Sequence, residues 1–235
     1  VFGAEEYEAF LSAYNPDLPK TRCWAVPDFG KPGLEAVLAR GRAFSPRLVG
    51  AARRTDGAAV RLELAFPDEA SAIFGCPRRC VMVIAACEST LTWDLRWSGK
   101  PATRIPEALW LGFQPPLAEP EGLRLVKLGR EIDPRRVVAK GNRALHACDE
   151  VRWRGTGPQW RLELPDTGLV APGGPALVRF RQELPDPRDG LALNLFNNTW
   201  GTNFPLWYQD DGLVRVGLGS AGAPAGPIAR GARQQ

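Results

Sequence analysis

A mainly β chain, folded as a large antiparallel sandwich with one or two short N-terminal helices, is what this sequence predicts. Apolar residues alternate with polar ones in several short segments, as in Val60, Leu62, Leu64 and Phe66, or Leu91, Trp93, Leu95 and Trp97. Such period-two spacing puts one set of side chains on a single face of a strand. Turn formers, 22 prolines and 25 glycines in 235 residues, separate nearly all of these segments. Many short strands between frequent turns favour sheets that pack face to face.

In chain order, Tyr7, Phe10, Leu11 and Tyr14 share one face of a helix over 4–14, with Glu5, Glu6 and Glu8 near its positive end. Pro32 to Arg42 reads as a second helical piece. Residues 1–42 are thus expected to be a helical and irregular lead-in packed on the sandwich, and 43–218 the sandwich itself. Its strands are expected at Val60–Phe66, Cys80–Cys87, Leu91–Trp97, Ala108–Phe113, Leu123–Leu128, Val151–Arg154, Trp160–Leu164, Leu177–Arg181, Leu191–Phe196 and Leu213–Leu218. The continuous apolar run Cys80–Cys87 suggests a strand covered on both faces. The tail 219–235 lacks aromatics and periodicity and is expected to be disordered. No internal repeat is evident.

The composition narrows the function classes. Hydrophobic residues make up 44% and charged residues 24% of the chain, and no apolar run reaches the ~18 residues of a membrane span. The net charge of +4 comes from 25 arginines and five lysines, but the arginine pairs are isolated and many arginines lie two residues from a glutamate. This reads as solvated strand faces, so neither nucleic acid nor membrane is expected as a partner. Five irregularly spaced cysteines do not make a disulfide framework, which favours a cytoplasmic setting. The chain starts at Val1 without a leader pattern, which suggests a fragment.

Most short motifs here do not carry the chemistry they resemble. Asp28-Phe29-Gly30 lacks the kinase loops that would give its aspartate a magnesium ion. Cys76 and Cys80 lack the second ligand pair of a zinc site, so no metal ligand is assigned. His146, the sole histidine, has no accompanying nucleophile elbow and reads either as a hydrogen-bonded strand residue or as an acid-base group. Glu107, between Arg104 and an apolar Ala-Leu-Trp run, is either ion-paired with Arg104 or aimed into a cleft. In "LFNNTWGTNFPLWY" (195–208), Asn197, Asn198 and Asn203 could match sugar hydroxyls while Trp200 and Trp207 offer flat apolar faces. The alternative is that these asparagines close a turn through local hydrogen bonds. With Gly201 leaving room beside it, Trp200 is expected to be a partly exposed platform.

On "KPATRIPEALW", "GNRALHA", "LVAPGG" and "NNTWGTNFPLWY", in that order, the chain resembles the C-terminal region of a microbial family catalogued as domain of unknown function 5054. That family is similar in turn to glycoside hydrolase family 38, the α-mannosidase group. The resemblance runs from about Tyr7 to Leu218, and "NNTWGTNF" is its most specific piece. It implies a sandwich of the large twisted type seen in galactose mutarotase. It also implies a zinc site and a carboxylate nucleophile in an N-terminal catalytic domain that this chain lacks. The chain itself is then expected to carry no catalytic residue and no cofactor. Its partners would be that missing domain and a carbohydrate, bound by Arg104, Glu107, Asn142, His146, Asn197, Asn198, Trp200 and Asn203. Arg104 and Glu107 are expected to form an ion pair beside Asn142 or His146 on one rim. Two alternatives stand beside this reading: a stand-alone carbohydrate-binding module, and a mutarotase-like isomerase using His146 and Glu107 as acid and base.

Overall fold

The computed structural model describes residues 1–14, 31–87, 89–114, 119–157, 159–178, 180–199 and 206–220. The described residues form a two-sheet antiparallel β-sandwich with three short helices. These helices are α1 (Ala4–Tyr14), α2 (Leu34–Val37) and α3 (Asp68–Ala72). The strands are β1 (Arg47–Arg53), β2 (Ala59–Ala65), β3 (Arg79–Cys87), β4 (Thr90–Ser98), β5 (Ala108–Phe113), β6 (Leu123–Lys127) and β7 (Arg130–Ile132). They continue with β8 (His146–Ala147), β9 (Glu150–Trp153), β10 (Trp160–Glu163), β11 (Leu169–Pro172), β12 (Leu191–Asn197) and β13 (Gly212–Ser220).

Nine strands make one sheet in the order β1-β2-β3-β4-β13-β10-β9-β6-β7, and four make the other, β5-β12-β11-β8. Every pairing is antiparallel. The core lies where the smaller sheet covers the larger: Leu95, Trp97, Leu125, Val151, Leu162 and Val216 from one side meet Leu191, Leu193 and Phe196 from the other. Aromatic pairs bridge the layers, with Trp97 5.6 Å from Phe196 and Trp93 edge-on to Phe113 at 5.4 Å. The outer face of the small sheet is closed by small side chains, Ala144, Ala171, Ala176 and Ala192.

Four strands cannot cover nine. Burial therefore rises along β4, from Leu91 at 41% exposed to Leu95 and Trp97 at 5% and 4%. The same mismatch corrects the expectation for Cys80–Cys87: that run of β3 is apolar, yet most of its residues are only half-buried. Leu177 and Val178 are buried but sit in a turn rather than a strand. The second helix is shorter than its apolar spacing suggested, only Leu34–Val37, because the chain is extended again at Leu38. Gly219 and Ser220, expected to begin the disordered tail, instead end β13, paired with Arg161 and Trp160, and the rest of the tail lies outside the described residues.

Arginines pair with acidic residues two positions away on the same face of a strand, in solvent as Arg61 with Glu63 and buried as Arg161 with Glu163. No helix among the described residues is long and apolar enough to cross a membrane. Gly122 is fixed by close approach: a β-carbon there would collide with the Arg154 carbonyl. Gly122→Ala is expected to destabilise the fold by about 1–3 kcal/mol, read by urea denaturation, since backbone must shift to admit the methyl group.

Candidate functional site

The polar residues that interrupt the apolar pattern between β4 and β5 gather at one end of the sandwich. Gly99, with φ +66, turns the chain out of β4. Lys100 follows it, and Pro101 disfavours helical backbone there. Its ammonium is fully buried and donates to the carbonyls of Pro101 (2.7 Å) and Tyr208 (3.1 Å). It also lies 2.6 Å from Glu107 Oε1, forming a buried ion pair. A second lysine approaches from the lead-in: Lys31 Nζ donates to the Leu206 carbonyl at 2.7 Å.

Asn198 joins these pieces. Its amide oxygen accepts from Glu107 N–H at 2.7 Å, and its Nδ2 donates to the carbonyls of Thr103 (3.1 Å), Ile105 (3.0 Å) and Leu206 (3.2 Å). Its own N–H donates to the Glu107 carbonyl at 3.2 Å. From α1, the Tyr7 hydroxyl donates to the Thr199 carbonyl at 3.2 Å, while Phe2 N–H donates to Pro106 O at 2.8 Å. The lead-in is thus tied directly to this end of the sandwich.

Burial governs the charges here. It pushes Glu107 up to about 7, against the pull of Lys100, and Lys31 down to about 8, with Arg104 adding to the fall and Glu107 opposing it. The Tyr7 hydroxyl is raised to about 12 by burial. Above this buried knot, Trp207 stands 51% exposed, with the Arg104 guanidinium 5.8 Å from its ring centroid. A shallow hollow of about 150 Å³ lies beside them, lined by Lys31, Pro32, Leu34 and Arg104.

The expected shared rim does not form. Glu107 pairs with Lys100 rather than meeting the expected partner Arg104, which packs over Trp207. His146 lies in β8 and Glu107 directly precedes β5, at opposite edges of the four-stranded sheet. Three strand spacings, about 14 Å, separate those edges, too far for a shared acid-base step. His146 is 2% exposed, its Nε2 donates to the Arg143 carbonyl at 2.8 Å, and burial lowers its basicity. Asn142 accepts from the N–H groups of Ala144 and Arg181 at 3.0 and 3.2 Å, which closes a local loop.

The asparagine cluster is likewise turned inward. Asn198 is 1% exposed and its amide is spent on backbone. Asn197 Nδ2 donates to Asn194 Oδ1 at 2.8 Å, and its oxygen accepts from Thr199 N–H and Oγ1 at 3.3 and 3.2 Å. These bonds sit beside the register shift between Asn194 and Phe196, where the ladder leaves groups to be satisfied. Trp200 and Asn203 lie outside the described residues, as do Asp28-Phe29-Gly30.

Lys31 and Lys100 were given no role from sequence. Both stand in Gly-Lys-Pro, at 30–32 and 99–101, in a chain with only five lysines, and that pairing was the available signal.

A larger cleft of about 870 Å³ opens where β2 to β4 extend beyond β5. It is walled by Leu64, Phe66, Met82, Leu109, Trp110 and Leu177, with Glu6, Arg42, Ser45, Gln114 and Asp189 also on its lining. Cys76 and Cys80 also line it as thiols, Cys80 being pushed up to about 11 by burial. Among the described residues no three His, Cys, Asp or Glu side chains gather as a metal site would require.

With this geometry in place, the chain can be set beside known proteins. Residues 1–92 match the family model described as "Domain of unknown function (DUF5054)". The chain is similar to that family over this stretch, which runs from α1 into the start of β4 and includes Lys31 but stops short of Lys100, Glu107, Asn198 and Trp207. No curated protein matches the chain.

Proposed function

We propose that the chain is the β-sandwich portion of a glycoside hydrolase family 38-like enzyme, built like the galactose-mutarotase sandwiches, and that it forms one wall of a carbohydrate cleft. The zinc and the nucleophile of such an enzyme belong to its other domain, and no catalytic step is assigned to residues here. One observation carries the reading: Trp207, a large aromatic ring, is half exposed beside the Arg104 guanidinium on a rigid, hydrogen-bonded base. A flat apolar ring stacks on the C–H face of a pyranose while guanidinium N–H groups donate to its hydroxyls. Asn198 acts one layer below, holding the segment that presents the ring.

Affinity electrophoresis or calorimetry against mannan, other polysaccharides and small mannosides tests this. Trp207→Ala is expected to weaken binding at least about tenfold while changing stability by no more than about 0.5 kcal/mol, as for an exposed residue. Failure of the unmodified chain to bind any saccharide, or equal binding by Trp207→Ala, would overturn the reading.

A further inference from the structure

We propose that Glu107 is a proton-controlled positioning residue: through Lys100, its charge sets how the Trp207 ring is held on the rim. The inference rests on the reading of that rim as the sugar-binding face and adds its regulation.

The geometry that carries it is a bracket around one exposed side chain. The carbonyl before Trp207, that of Leu206, accepts from Lys31 Nζ at 2.7 Å and Asn198 Nδ2 at 3.2 Å. The carbonyl after it, that of Tyr208, accepts from Lys100 Nζ at 3.1 Å. Two buried ammonium groups therefore pin the backbone on either side of Trp207. Lys100 is held at that carbonyl and lies 2.6 Å from the buried Glu107 Oε1. Ionised Glu107 draws Lys100 toward itself. Once neutral, it exerts no such pull, and the ammonium redistributes among Pro101 O, Tyr208 O and the carboxylic acid. Either move is transmitted to the Tyr208 carbonyl and so to the ring beside it.

Other charged or titratable groups face Glu107. Lys31 approaches from the lead-in before α2 and the Cys76 thiol from the turn after α3; the Val1 amino group is also near. Arg104 stands over Trp207 and lowers Lys31. Burial keeps the Cys76 thiol protonated near neutral pH, and Lys31 remains largely charged below about 8. Glu107, raised to about 7, changes charge between these limits. The Val1 amino group, itself lowered by burial, is separated from it by mutation.

Fluorine NMR of the chain labelled with 5-fluorotryptophan, with the Trp207 resonance assigned by its loss in Trp207→Phe, reads the ring directly between pH 5.5 and 8.5. The resonance is expected to shift with a single-proton transition near neutrality that is lost in Glu107→Gln and returns in Glu107→Asp, while a separate step at about 8 belongs to Lys31 and is lost in Lys31→Met. An unmoved resonance in the unmodified chain overturns the proposal. So does a near-neutral transition that persists in Glu107→Gln, or a near-neutral transition abolished by Lys31→Met. If Glu107→Gln does not fold, the unmodified chain and Lys31→Met still decide the matter by the same criteria. No sugar enters the measurement, so its failure is separate from failure of the rim to bind sugar, which the Trp207→Ala titration reports.

Discussion

Lys100→Met is expected to destabilise the chain by about 3–5 kcal/mol at pH 8.5, because it strands the buried Glu107 carboxylate without its ammonium. At pH 5.5 the loss is expected to be clearly smaller. There Glu107 already carries a proton in the folded state, so the substitution removes only the hydrogen bonds to Pro101 O and Tyr208 O. The sign follows from linkage. Between its ordinary value of 4.5 and about 7, folded Glu107 holds a proton that the unfolded chain has released, so its contribution to stability falls as pH rises through that window. For the unmodified chain the fall amounts to at most about 3 kcal/mol and ends near neutrality. Without Lys100 the folded carboxyl is raised further, the decline continues to higher pH, and the gap between variant and parent opens above 7. Adding Glu107→Gln to Lys100→Met should recover much of the loss at pH 8.5, since the stranded charge is gone. Urea denaturation at the two pH values decides the point; an equal loss at both would show that Glu107 does not depend on Lys100 for its charge.

The second large effect is expected at Asn198. Replacement by alanine removes the acceptor for Glu107 N–H and the donor shared by the Thr103, Ile105 and Leu206 carbonyls. Leu206 keeps Lys31, but the remaining groups stay buried without that partner. The expected cost is about 3 kcal/mol or more. Asn198→Asp should be worse despite its shape, because it replaces the donating nitrogen with a charged oxygen facing three carbonyls. A surface asparagine would shift stability by no more than about 0.5 kcal/mol. A near-neutral melt for Asn198→Ala would therefore return this residue to the ligand-facing role that its sequence context suggested.

These two residues also show where sequence reading succeeds. Asn198 stood out because an amide between aromatic residues must be satisfied somewhere, and that deduction holds: its amide is fully engaged. The direction in which it is engaged could not be read, because the acceptors at Thr103 and Ile105 lie more than ninety positions away. Glu107 was likewise conspicuous as a charge before an apolar strand. The nearest cation in sequence, Arg104, was the natural partner, but the turn at Gly99 brings the more distant Lys100 to it. His146 failed for the converse reason. Motif order suggested a common rim, whereas strand order put β5 and β8 on opposite edges of one sheet.

Secondary structure was legible where side-chain periodicity alone decides it. β5 is bounded as expected from Ala108 to Phe113, α1 spans the expected 4–14, and the alternating segments became β2 and β4. β1 was missed because Arg47-Leu-Val-Gly-Ala-Ala-Arg53 has no alternation and forms a largely exposed edge, paired only with β2. β11 was missed because it is only four residues long and ends in proline.

By itself, the sequence determined that this chain folds as antiparallel sheets and that its polar interruptions lie between β4 and β5 and after β12. Both are local properties, set by the period-two pattern and by turn residues acting over a few positions. Tertiary structure alone decided which lysine meets Glu107, that Asn198 faces inward, and that Trp207 remains exposed above them. Those outcomes depend on burial and on charges brought together from distant parts of the chain, and burial is a property of the packed sheets rather than of any single strand.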